Sequence, residues 1–138
     1  MLRRLGCESV GFMDEFDERS VLLAFTHQGR QVRMRASAGG WAALWLKSNP
    51  YRRGIRTTPQ EHQERALRQG YVAVNSILRD WVKGQVTAVE CGMMPFEAVF
   101  MPYVVTHDGR TVLERITETK LLPPPTSSSG STPRVRIG

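Results

Sequence analysis

Residues 31 to 37 alternate strictly: Val32, Met34 and Ala36 fall on one side, and Gln31, Arg33, Arg35 and Ser37 on the other. A period of two with one apolar face is the signature of a half-buried strand. Before it, Ser20 to Thr26 is rich in Val21, Leu22, Leu23 and Phe25, and His27-Gln28-Gly29-Arg30 has the composition of a hairpin turn. Glu8 to Asp14 offers a weaker strand, with Val10 and Phe12 on one face. Together these predict an antiparallel meander whose apolar face meets helices and whose arginine-bearing face meets solvent.

The pattern then changes period. Ala38-Gly39-Gly40 breaks the strand, and Trp41 to Lys47 predicts a short helix with Trp41, Leu44 and Trp45 on one side. Asn49-Pro50 opens a loop that leads to the longest helical pattern in the chain, Thr58 to Glu90. Thr58, Pro59 and Glu61 form a capping box with proline in the first turn, and Gly92 followed by Pro95 marks the stop. Such a helix, at 1.5 Å per residue, runs roughly 48 Å, more than one dimension of so small a core requires.

On a helical wheel Asn75, Ser76, Arg79, Asp80, Lys83, Thr87 and Glu90 share a polar arc of roughly 140°. Leu67, Tyr71, Val74, Leu78 and Trp81 recur at spacings of four and three on the other side. Val86 falls inside the polar arc and spoils a clean division, so burial is expected to extend around most of the circumference. Beside the apolar row lie Ala66, Gly70, Ala73, Gly84 and Ala88, a stripe of small residues that asks for close approach of another backbone. Gln85 sits on the apolar side, either satisfying a loop carbonyl or pairing with its symmetry mate in a homodimer built through this stripe.

Beyond the long helix, Phe96, Val99, Phe100 and Tyr103 keep helical spacing until Pro102 ends or kinks the segment. His107-Asp108-Gly109-Arg110 reads as a turn. Thr111-Val112-Leu113-Glu114 repeats the capping-box spacing, which predicts a final short helix with a strand as the alternative. The expected class is α+β: a small antiparallel β-meander packed on a long central helix with shorter flanking helices. Residues 1–121 form one domain on this reading, and 122–138, rich in Pro, Ser and Gly, form a disordered tail.

Charge refines the picture more by position than by sum. The formal net charge is +6, yet Glu8, Asp14, Glu15, Asp17 and Glu18 stand together with no base among residues 5 to 18. Residues 28 to 70 hold nine bases against Glu61 and Glu64 alone. No run of 18 apolar residues or secretory leader is present, and Cys7 and Cys91 suggest no disulfide framework, so the expected setting is cytoplasmic.

Candidate chemistry is sparse. His27, His62 and His107 have no metal-ligand spacing, Gly39-Gly40 lacks the longer pattern of a phosphate-binding turn, and no nucleophile is paired with a base. No metal, cofactor or catalytic group is expected. The best constellation is basic and aromatic: Arg33 and Arg35 on one strand face, then Lys47, Tyr51, Arg52, Arg53 and Arg56. Arginines interleaved with aromatics suit phosphate contacts and base stacking. Arg134 and Arg136 in the tail add an electrostatic tether.

Three segments carry a resemblance: Val21 to Phe25 with Gly29-Arg30 and Ala36 to Ala42; Asp80 to Val86; and Phe96 to Pro102 with Asp108 to Val112. They resemble small uncharacterised proteins encoded in prophages and integrative elements of proteobacteria. The resemblance brings no known activity. It implies a setting in which small non-enzymatic proteins bind nucleic acid or nucleoprotein, or block a host defence protein such as a CRISPR effector. A sponge for a small anionic nucleotide signal is a third expectation.

Overall fold

The computed structural model describes residues 6–54 and 56–126, and it is an α+β fold with one sheet and four α-helices. Strands β1 (Cys7–Glu15), β2 (Ser20–His27) and β3 (Arg30–Ser37) form an antiparallel sheet in the order β1-β2-β3. Gln28 and Gly29 both have positive φ, 50° and 77°, so a two-residue loop of the twist-matched kind joins β2 to β3.

The strands cover their inner face as the alternation predicts. Val21, Leu23, Phe25, Val32 and Met34 are buried. The weaker strand departs from its expected pattern. A bulge between Glu8 and Gly11, with Ser9 at φ 53°, resets the register, so Phe12 packs on the core while Val10 is 38% exposed.

Helix α1 (Ala38–Ser48) starts three residues before its expected first residue. Ser37 ends β3 and caps α1, its hydroxyl accepting from Gly40 N–H, while Gly39 N–H donates to the Arg19 carbonyl at 3.0 Å. Ala38-Gly39-Gly40 is therefore the first turn of a helix rather than a break, and two of the N–H groups a phosphate would use are already bonded.

Helix α2 (Pro59–Glu90) begins and ends where its capping signals place it, with both halves of the Thr58–Glu61 capping box formed. Its buried residues include the row Ala66, Gly70, Val74, Leu78, Val82 and Val86. Each step of four residues advances about 40° around the axis, so the buried face rotates along the helix. That rotation accounts for Val86, 1% exposed, on the polar side of a fixed wheel.

Helix α3 (Phe96–Phe100) runs into a 3-10 turn (Met101–Tyr103) at Pro102, and Thr111 caps α4 (Val112–Glu118), which settles the helix-or-strand alternative. Phe25, Trp81, Phe96, Phe100 and Tyr103 meet in a cluster of edge-on and tilted rings with centroids 4.8–6.3 Å apart. The chain after the 3-10 turn covers the outer edge of β3 through a Val32–Val104 bridge. Residues 127–138, with Arg134 and Arg136, lie outside the described residues.

Candidate nucleic-acid interface

The basic constellation divides in two when folded. Arg33 and Arg35 share the outer face of β3, but each is engaged within the chain. Arg33 donates to the Gly109 carbonyl at 2.9 Å and lies 3.8 Å from the Glu114 carboxylate. Arg35 donates through Nε to Glu15 at 2.8 Å, and that hydrogen bond raises its pKa above the ordinary arginine value. These two arginines link the sheet to α4 and to β1, so a phosphate at either would compete with a contact inside the chain.

The second group stands at the corner between α1 and α2. Lys47 lies in the last turn of α1 and is exposed. Arg52, Arg53 and Arg56 follow in the connecting loop, all exposed and none in an ion pair among the described residues. Tyr51 is half-buried rather than open, because His62 fills the space beneath it with ring centroids 6.0 Å apart. On its other side His62 meets Trp45 at 5.3 Å, and its Nε2–H donates to the Asn49 carbonyl at 2.7 Å.

His62 is the residue the sequence reading missed. It is half-buried and joins Trp45, the loop and the first turns of α2 into one platform. Its only signal was position, one turn into a capped helix behind a loop that opens with Asn49-Pro50. His27 is likewise not a free turn residue, since its ring stacks on Phe96 at 3.8 Å.

The acids nearest this corner are committed to the helix. Glu61 accepts from the Thr58 N–H as its half of the capping box, and Gln60 donates to Glu64 at 3.3 Å. Arg65 and Arg68 extend the exposed positive charge along α2. An open cleft of about 460 Å³ runs between α1 and α2, lined by Arg19, Ala42, Leu46, Gln60, Gln63 and Leu67 among others.

The small-residue stripe also divides. Ala66 and Gly70 are buried inside the chain, and a Cβ on Gly70 would lie 2.6 Å from the Ala38 carbonyl oxygen. The close backbone neighbour that glycine called for is thus α1 of the same chain. Ala73 and Ala88 are half-buried, and Gly84 has open space around its Cα. Gln85 is half-buried, and no hydrogen bond joins it to a loop carbonyl among the described residues.

No group of three or more His, Cys, Asp or Glu side chains is arranged to hold a metal ion among the described residues. No helix among them is long and apolar enough to cross a membrane. No family model matches this chain, and no characterised protein or solved structure matches it either.

Proposed function

We propose that this chain is a non-catalytic accessory binding protein of a mobile element, contacting nucleic acid or a nucleoprotein complex through the α1–α2 corner. The observation that carries the reading is the open cluster of Lys47, Arg52, Arg53 and Arg56 beside Tyr51, free of ion pairs among the described residues. Cations without protein partners lose less by turning to phosphate than Arg33 and Arg35, which must first give up carboxylate contacts. Tyr51 and Trp45, braced by His62, supply ring surface for a base. Homodimer formation belongs to the same proposal and is confined to the part of the stripe left open, Ala73, Gly84, Gln85 and Ala88.

The test is binding of labelled single- and double-stranded DNA and RNA across a salt series. Affinity should fall steeply with salt, and the triple variant Arg52→Glu, Arg53→Glu, Arg56→Glu should abolish it. Equal binding by the triple variant sinks the assignment. Tight capture of one host protein, insensitive to nuclease and with no affinity for free nucleic acid, would instead favour an inhibitor of a defence protein. A thermal shift confined to a nucleotide would favour the sponge, although Arg33 and Arg35 are committed elsewhere.

A further inference from the structure

The two edges of the sheet are finished differently. The outer edge of β3 is occupied: Val32 bridges Val104, and Val105 N–H donates to the Gln31 carbonyl at 2.8 Å. Among the described residues, no backbone segment pairs with the outer side of β1. The bulge between Glu8 and Gly11 bends the start of β1, and from Gly11 to Glu15 the ladder to β2 continues without a shift.

An open strand edge is a template for another strand, and proteins guard such edges with charge. Along β1 and its turn the guard has one predominant sign. Glu15 is held by Arg35 and Asp14 by Asn75, whereas Glu8, Asp17 and Glu18 have no ion pair among the described residues. The nearby cations are Arg79, 3.9 Å from the centre of the Phe12 ring, and Arg19 at the end of the turn. Set among the acids are Met13, 61% exposed, and Phe16, 74% exposed. Acids repel a second copy of the same strand and attract a basic one, while the open apolar side chains give that strand something to cover. Met13 and Asp14 are successive residues and point to opposite faces, so a fitting strand alternates apolar and basic residues.

We propose that the Gly11–Glu15 edge of β1 is a docking site for a basic extended segment, which adds to the sheet as a fourth strand. This surface is separate from the α1–α2 corner and stands or falls independently of the nucleic-acid reading. It gives the protein a way to hold the basic protein part of a nucleoprotein complex while its own basic corner meets nucleic acid.

The sequence supplies a suitable probe, since Arg134-Val135-Arg136-Ile137 alternates as required. The experiment titrates a synthetic peptide of residues 132–138 into the full chain carrying Arg134→Glu and Arg136→Glu, which removes competition from the chain's own copy. Saturable binding is expected, with slowed amide exchange at alternate residues of Gly11 to Glu15. Asp14→Lys, Asp17→Lys and Glu18→Lys together should weaken binding at least about ten-fold, with circular dichroism unchanged. A peptide N-methylated at alternate amides should lose binding, because strand addition depends on backbone hydrogen bonds. No binding, unchanged affinity in the triple-lysine variant, or exchange protection elsewhere than β1 would each overturn the proposal.

Discussion

The two halves of α2 are held by opposite means. Its N-terminal half packs on α1 through absence of side chain, Gly70 letting the Ala38 carbonyl oxygen come within what would be 2.6 Å of a Cβ, one turn from the buried Ala66. Its C-terminal half packs through bulk, with Trp81 against Phe100 and Tyr103, and with Val82 and Val86 almost fully buried. A helix can therefore carry glycines of the same spacing and apparent purpose that do different things. Gly70 is a packing surface, and Gly84 faces open space.

The largest test of this contrast is on the bulky side. Phe100→Ala should cost about 3–5 kcal/mol in urea denaturation, since a fully buried ring at the centre of the aromatic cluster is removed. A loss below about 1 kcal/mol would mean that the aromatics decorate that half rather than hold it. Next comes Gly70→Ala, expected to destabilise by about 1–3 kcal/mol despite alanine's better helix propensity, because backbone must yield. A gain in stability would show that α1 gives way freely and that the close approach is not required.

Smaller effects sharpen the comparison at the ends and on the open face. Thr58→Ala should cost about 1 kcal/mol by removing half of the capping box, and restoration by Thr58→Ser would tie the loss to the hydroxyl. Gly84→Ala should raise stability by about 0.5–1 kcal/mol, the opposite sign from Gly70. The same variant probes assembly. If sedimentation shows a dimer that Gly84→Ala dissociates, a second copy approaches this face closely. A more stable variant with unaltered sedimentation removes the stripe as an interface.

The smallest effect is one of pH. Hydrogen bonds from the Thr106 hydroxyl and then the Arg110 backbone N–H hold the Asp108 carboxyl below its ordinary pKa. A depressed carboxylate contributes stability above its unfolded-state pKa and loses it as pH falls through the folded value. The stability difference between wild type and Asp108→Asn should therefore be present at neutral pH and vanish in acid, below the ordinary carboxylate range. A difference that persists there would assign it to altered turn geometry instead.

How far the sequence reading reached follows from which interactions are local. The limits of α2, the β2–β3 turn and the cap of α4 were all legible, because each rests on residues within four positions of one another. The bulge at Ser9 was not, since nothing local forces that residue to φ 53°. Val86, 1% exposed, marked on the wheel that burial does not keep to one fixed face, but not the reason: α2 meets α1 first and the aromatic cluster later. At the candidate site, the exposure of Arg52, Arg53 and Arg56 was legible from loop composition. The commitment of Arg33 to Gly109 and of Arg35 to Glu15 was not, being contacts between residues 76 and 20 positions apart.

The segment that closes over β3 also joins parts of the chain that are far apart in sequence. The β2–β3 hairpin and the α1–α2 pair join neighbours in sequence, and their contacts form at low entropic cost. Joining Arg33 to Gly109 instead closes a loop spanning 76 positions. Loop-closure cost grows only slowly, by about 0.6 kcal/mol per doubling, so this separation governs timing more than final stability. The segment from α3 to α4 is therefore expected to dock after the hairpin has formed. Without that segment both edges of the sheet would lack a backbone partner among the described residues, against one edge, that of β1, with it in place.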